Sequence, residues 1–180
     1  MSAHKFKSRV RIGAIVLGLA VFVELIRYTI TSFQRALRFC FWEPERWNAH
    51  RLVDEGTVIE TGLRIGYFTI WAVVILASIL VFLAALKLLY HFSKGEIFGP
   101  EAARWIMWVG GLLVLALAID TVFMFADVRI ITSQNETPLP FAFVYDPSDL
   151  KAMCLGAVLF LFGSILREAT RIDAENREFV

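Results

Sequence analysis

The sequence predicts an all-α integral membrane protein: a bundle of four transmembrane helices with a long first extracytoplasmic loop and a helical cytoplasmic C-terminal extension. Hydrophobic residues make up 58% of the 180 residues and charged residues 19%, whereas soluble domains average about 45–50% and about 25%. The apolar residues gather in four runs close to the roughly 20 residues that a helix needs to cross a bilayer. Such runs, without two-residue alternation, are helical, because lipid admits only helices and closed barrels.

The four predicted spans cover approximately residues 10–30, 65–89, 104–126 and 150–167. The second is the clearest, since no charged residue lies between Ile65 and Leu86. The first begins like a signal peptide, with basic residues before an apolar centre. Because no small-residue cleavage site follows and apolar residues continue to Ile30, we expect an uncleaved span.

Small residues recur within three of the spans at spacings that let helices approach closely. They are Ala14, Gly18, Gly110, Gly111, Ala152, Gly156 and Gly163. This pattern indicates that helices of one chain pack closely against each other. The alternative is that one of these surfaces joins two copies of the chain in a homo-oligomer.

The distribution of lysine and arginine predicts that both termini lie in the cytoplasm. With four spans, the N-terminus, the connection 90–103 and the tail 168–180 share one side of the membrane, and the loops 31–64 and 127–149 share the other. With the residues at the adjoining ends of the spans included, the first side carries ten of the 18 Lys and Arg residues and the second side seven. Because cytoplasmic segments carry the excess of these residues, we assign the termini to the cytoplasm.

The two outer loops carry weaker patterns of secondary structure. Residues 31–42 place apolar side chains at every fourth position from Phe33, which predicts a short interfacial helix that ends before Pro44. In the third loop, Val128 to Thr132 and Phe141 to Tyr145 flank a polar turn, which predicts a small β-hairpin.

Three charged residues lie inside the predicted spans more than two positions from either end. Glu24 and Asp120 lie at similar depths in the first and third spans, and Arg27 lies about one helical turn from Glu24. Because ionisable groups in a span usually face the bundle interior and pair, we predict a cluster of Glu24, Arg27 and Asp120. Such a cluster is either a site for an ion or a proton, or an ion pair that fixes the order of the helices. A third alternative is that the two carboxylates extend to the outer surface of the membrane and form no cluster.

The cytoplasmic connection contains a turn motif made of Lys94, Gly95, Ile97, Phe98, Gly99 and Pro100. Gly95 favours a turn, and Gly99 followed by Pro100 is typical of the start of a helix.

The fourth span continues into a C-terminal stripe at helical spacing, which consists of Ala169, Ile172, Glu175, Asn176, Phe179 and Val180. Arg171 and Glu175 are an i, i+4 pair beside its apolar members. The apolar members need a surface to pack on. Either the stripe docks on the cytoplasmic connection, or it binds a separate protein.

These two cytoplasmic segments resemble a known family. The segment Lys94-Gly95-x-Ile97-Phe98 before a span, and the ending Ala169-x-x-x-x-Ala174-Glu175-Asn176-x-x-Phe179-Val180 after one, are similar to the bacterial four-span family called domain of unknown function 2975. The resemblance implies a small protein of the bacterial inner membrane without an established activity. Its relatives are often encoded beside small helix-turn-helix regulators, and commonly have a shorter first loop.

Several classes of function find no support in the sequence. The net charge of +1 provides no basic field for nucleic acid. His4, His50 and His91 lie in separate segments, and no nucleophile–base set, metal-ligand cluster or cofactor signature accompanies them, so we expect no enzyme, metal or cofactor. Two cysteines are too few for a disulfide framework. We expect Cys154 to fill apolar space, with a bridge to Cys40 as the alternative.

The sequence favours a non-enzymatic accessory or regulatory membrane protein whose turn motif and C-terminal stripe bind a membrane or cytoplasmic protein. The alternative is a small transporter or ion-translocating subunit that uses Glu24 and Asp120. Transporters usually show broken helices, inverted repeats or several charges near the midplane, and the sequence shows none of these.

Overall fold

The computed structural model describes residues 3–37, 60–97, 99–132 and 147–178. These residues form four α-helices: α1 (Ala3–Leu37), α2 (Thr61–Ser93), α3 (Pro100–Thr132) and α4 (Pro147–Glu178). The described ranges contain no β-strand. The prediction of an all-α chain is therefore confirmed for this part of the molecule.

Three of the helices are long and apolar enough to cross a membrane. The candidate segments are Arg64–Ser93 in α2, Pro100–Met124 in α3 and Ser148–Asn176 in α4. They correspond to the second, third and fourth predicted spans. The first predicted span lies within α1, which is 35 residues long but is not among the three. That α1 crosses the membrane stays a prediction.

The extensive contacts among the described residues join helices that are consecutive along the chain. α1 packs on α2, α2 packs on α3, and α3 packs on α4. α2 and α3 therefore lie inside this series, and α1 and α4 lie at its ends. Most of the large apolar side chains of α1 and α4 are consequently exposed in the isolated chain.

α3 and α4 approach each other most closely at glycines. A Cβ atom added to Gly110 would lie 2.4 Å from the backbone nitrogen of Phe160, and one added to Gly163 would lie 2.5 Å from that of Met107. Gly156 faces the carbonyl oxygen of Gly110, 3.0 Å from the position of an added Cβ. The absence of side chains lets the two backbones pack in direct contact, as the small residues predicted.

α1 and α2 are joined by a polar contact and by aromatic rings. The hydroxyl of Tyr28 donates a hydrogen bond to Ser78 Oγ at 3.0 Å. The rings of Tyr28 and Phe82 lie 5.8 Å apart, and those of Phe33 and Phe68 lie 6.4 Å apart. Since the residue numbers rise along α1 while they fall along α2, the two helices are antiparallel.

The predicted separate helix over residues 31–42 is not formed within residues 31–37, which continue α1 to Leu37. The hydroxyls of Thr29 and Thr31 donate to the carbonyl oxygens of Leu25 and Arg27 at 2.8 and 2.7 Å. Hydrogen bonds of this kind satisfy threonine inside a helix, so these polar residues do not end α1. Residues 38–42 lie outside the described residues.

The predicted strand from Val128 to Thr132 is wrong, because these residues form the end of α3. The helical cost of β-branched residues is a fraction of about 1 kcal/mol each, and an already formed helix propagates by adding one hydrogen bond per residue. The second predicted strand, Phe141 to Tyr145, lies outside the described residues.

The helices also extend further than the predicted spans. Residues 94–99 connect α2 to α3 in place of the predicted connection 90–103, and α4 continues through most of the predicted tail to Glu178. The reason is that an apolar run measures the segment suited to lipid, whereas backbone hydrogen bonds continue into the polar residues that follow.

Candidate functional site

The connection between α2 and α3 is held by a Schellman turn. The amide of Glu96 donates to the carbonyl oxygen of His91 at 3.1 Å, and the amide of Gly95 donates to that of Phe92 at 3.0 Å. Gly95 has a φ of 85°, a left-handed conformation that glycine adopts without steric cost. The predicted turn at Gly95 therefore has a defined geometry.

A second contact closes the same turn through side chains. Nδ1 of His91 donates to Oε2 of Glu96 at 2.8 Å, and the His91 side chain is only 13% exposed. Its Nε2 atom is buried and has no hydrogen-bond partner within the described residues. The two ends of the turn are thus joined by both backbone and side-chain bonds, which positions the start of α3.

Two lysines flank an exposed tyrosine at the end of α2. The ammonium of Lys94 lies 4.4 Å from the centre of the Tyr90 ring, and that of Lys87 lies 5.5 Å from it. Hydrogen bonding to the Tyr90 phenol is the largest cause that raises the pKa of Lys94, and the charges of Tyr90 and Glu96 act in the same direction. Lys94 is therefore a permanent cation at physiological pH.

α3 begins at Pro100, as the pair Gly99–Pro100 predicts. The carbonyl oxygen of Gly99 accepts a hydrogen bond from the Ala103 amide at 3.1 Å. Glu101, in the first turn, lies 4.0 Å from Arg104 and is favourably placed at the positive end of the helix dipole. Phe98 of the turn motif lies outside the described residues.

A cleft of about 650 Å³ lies between the start of α3 and the end of α4. It is lined by Pro100 and Met107 of α3 and by Ser164, Arg167, Glu168, Thr170, Arg171, Asp173 and Ala174 of α4. Arg171 binds Glu168 at 2.6 Å and lies 3.7 Å from Glu175. Two of the charges on this wall of the cleft, those of Glu168 and Arg171, are thus paired along α4 itself.

The C-terminal stripe lies on the exposed surface of α4. Ile172 is 49% exposed, and Ile165, one position of the same stripe nearer the membrane, is 66% exposed. Ala169, Glu175 and Asn176 are exposed as well. The described part of the cytoplasmic connection therefore does not cover this face of α4. Phe179 and Val180 lie outside the described residues.

The structure joins two members of the predicted charge cluster and separates the third. Arg27 Nη2 lies 2.7 Å from Glu24 Oε2 on α1. Asp120 on α3 instead has Asp149 of α4 as its charged neighbour in the described part of the chain. The reason is the order of packing, because α2 contacts both α1 and α3 and these two helices have no extensive contact.

Other chemistry-bearing residues are less organised. Cys154 is a free thiol on the exposed surface of α4, and Cys40, its predicted alternative partner, lies outside the described residues. No group of three or more His, Cys, Asp or Glu residues that could hold a metal ion occurs among the residues that the structure describes.

Sequence reasoning did not find the His91–Glu96 contact or the two lysines at Tyr90. The first joins positions five residues apart, which meet only because the left-handed Gly95 reverses the chain between them. The spacing of Lys87, Tyr90 and Lys94 was visible as one helical face, and it was the signal that could have found the second arrangement.

The three apolar helices and their tight α3–α4 packing define a multi-pass helical membrane protein. The family described as Protein of unknown function (DUF2975) has a model that matches residues 47–180, and the chain belongs to this family. The match includes α2, α3 and α4 together with the turn motif and the C-terminal stripe. It thus confirms the resemblance carried by those two segments. No curated protein and no solved structure matches the chain.

Proposed function

We propose that this protein is an accessory or regulatory protein of the bacterial inner membrane, without catalytic activity of its own, that acts by binding another protein through the C-terminal stripe. In this proposal both termini lie in the cytoplasm, because the predicted cytoplasmic segments carry the excess of lysine and arginine. The stripe then faces cytoplasmic proteins and the cytoplasmic parts of membrane proteins.

The exposure of the stripe is the observation that carries the proposal. The part of α4 from Arg167 to Glu178 continues as a helix about 18 Å past the apolar run. Most of its residues are polar or charged, yet Ile172 is 49% exposed next to Ala169 and Asn176. A helix face with an apolar anchor and a polar surround is a common means of recognising a partner.

The order of the segments supports the same assignment. The Schellman turn at Gly95 and the His91–Glu96 contact position the start of α3, and α3 packs tightly on α4. The stripe is therefore presented from a rigid base. Rigid presentation favours specific binding, because less conformational freedom is lost when a partner binds.

The test is site-specific crosslinking in native membranes. A photo-crosslinking amino acid is placed at Ile172 in the full-length chain with an N-terminal tag, and at Ala174 as a matched control on the cleft side of the same helix. We expect a discrete covalent adduct from position 172 and much less from position 174. Mass spectrometry identifies the adduct, and purification through a tag on the captured protein must recover this chain in return.

A pair of substitutions separates binding from folding. Ile172→Asp is expected to abolish the reciprocal recovery, whereas Ala174→Asp adds the same charge to the same exposed helix and is expected to preserve it. The proposal fails if both variants behave alike, or if recovery is unchanged by Ile172→Asp.

An ion-translocating role is supported less well by the positions of the charges. Glu24 pairs with Arg27 on α1, whereas Asp120 lies on α3, which has no extensive contact with α1 among the described residues. The two carboxylates of that alternative therefore do not line one common path among the described residues.

A further inference from the structure

A charged pair on α1 lies at the depth of the lipid core. The Tyr28 hydroxyl donates to Ser78, and Ser78 lies at the middle of the apolar segment Arg64–Ser93 of α2. Helical side chains point toward the N-terminus, so the Tyr28 hydroxyl lies toward the turn that carries Glu24. Glu24 and Arg27 lie within about 6 Å of Tyr28 along the helix axis. Both are thus placed near the middle of the membrane by the packing of α1 on α2.

This pair is not sheltered by the chain itself. The side chain of Arg27 is 69% exposed and that of Glu24 is 51% exposed. Val23 and Ile26 beside them are exposed too, and α1 packs extensively only on α2 among the described residues. Ionisable groups within a membrane span almost always face the interior of a bundle. The exposed face of α1 therefore lacks the protein surface that such groups require.

The exposed face of α1 carries one acid and one base, so a second copy of the same face is complementary to it in charge. Two copies inserted with the same topology place equivalent residues at equal depth, and under a two-fold axis along the membrane normal any contact between two different residues occurs twice. One acid and one base, three residues apart, then form two reciprocal bridges, since the long arginine side chain reaches across one helical turn. We propose that the protein self-associates in the membrane through α1, with Glu24 and Arg27 of each copy paired to Arg27 and Glu24 of the other.

Charge-swap complementation tests this interface. Full-length chains carrying two different tags are co-expressed, and the fraction that co-purifies in mild detergent is measured. We expect the wild-type chains to co-purify. E24R alone and R27E alone should each lower self-association about tenfold or more, because each places like charges across the axis. Co-expression of E24R with R27E should restore it, since acid and base then face each other again.

Two further variants guard against a folding defect. The double variant E24R/R27E keeps one acid and one base on each chain and should self-associate as the wild type does. E101R and R104E change a pair of the same spacing and similar exposure at the start of α3, on a different helix from the proposed interface, and should leave co-purification unchanged.

The proposal is overturned if wild-type chains do not co-purify, which would leave lipid or another membrane protein as the neighbour of α1. It is also overturned if E24R associates with itself as strongly as the wild type does. Loss of association in both single variants without recovery in the mixed pair would equally exclude the reciprocal bridges.

Discussion

Glycines at the α3–α4 contact allow a direct test at the scale of single residues. A Cβ atom at Gly163 would lie 2.5 Å from the Met107 nitrogen and 2.9 Å from the Ala103 carbonyl oxygen. Both are backbone atoms of α3, so the two helices must separate to accommodate it. We expect Gly163→Ala to lower the free energy of unfolding by about 1–3 kcal/mol. Denaturant titration in detergent micelles, followed by tryptophan fluorescence, measures the change.

Gly111→Ala is the control for this prediction. An added Cβ there meets only the Phe160 ring, at 3.4 Å, and that ring is able to shift by a few tenths of an ångström. Alanine also favours the helix by about 1 kcal/mol relative to glycine. Equal destabilisation by the two substitutions would show that the close backbone contact is not the source of the effect.

The same residues show what a sequence reveals about packing. Spacing alone marked Gly110, Gly156 and Gly163 as positions of close approach, because only small residues let helical backbones touch. It did not reveal which of the small residues meet, since that depends on helix order and rotation. Ala14 is only 5% exposed. It is buried although its helix, α1, lies at one end of the row of helices and packs extensively only on α2.

At the scale of elements, the turn between α2 and α3 depends on one backbone conformation. Gly95 has a φ of 85° and no side-chain neighbour within 4 Å of an added Cβ, so a substitution there meets backbone strain and no clash. We expect Gly95→Ala to lower the free energy of unfolding by about 1–2 kcal/mol. The same micelle titration measures it.

Gly99→Ala in the same connection is the matched control. Its added Cβ would make an ordinary contact, 3.9 Å from Glu96 Cβ, and its φ is not in the left-handed region. A loss of at most about 1 kcal/mol, smaller than that of Gly95→Ala, is expected, because alanine is less favourable than glycine at this N-cap but meets neither left-handed strain nor a clash. A larger loss for Gly99→Ala than for Gly95→Ala would mean that the turn is not held by its left-handed residue.

Element type was easier to predict from the sequence than element ends. The uncharged run from Ile65 to Leu86 predicted α2 because a run of this length without two-residue alternation satisfies its backbone in lipid as a helix. The end of α3 was missed because Val128 to Thr132 are β-prone, and that local preference is weaker than continuation of an existing helix. The turn at Gly95 was predicted, because glycine next to a polar segment is a strong signal for the end of a helix.

At the scale of the whole molecule, the sequence did not predict which helices pack against each other. Glu24 and Asp120 were predicted to share one cluster because they lie at similar depth. Depth follows from counting residues, whereas adjacency depends on which apolar faces pack. In the structure α1 and α3, which carry these carboxylates, both pack on α2 and have no extensive contact with each other among the described residues.

The orientation of the molecule in the membrane is a prediction from the count of lysine and arginine, which favours cytoplasmic termini. Glu60 and Glu101 provide a matched pair for testing it, because both are exposed glutamates and they lie at opposite ends of α2 and its turn. In a chain with Cys40→Ser and Cys154→Ser, we expect a membrane-impermeant maleimide to label Glu60→Cys on intact spheroplasts. Glu101→Cys should react only after the membrane is opened. The opposite labelling pattern would place the turn motif and the C-terminal stripe outside the cell, where no cytoplasmic partner reaches them. Equal labelling at both positions would contradict a single topology.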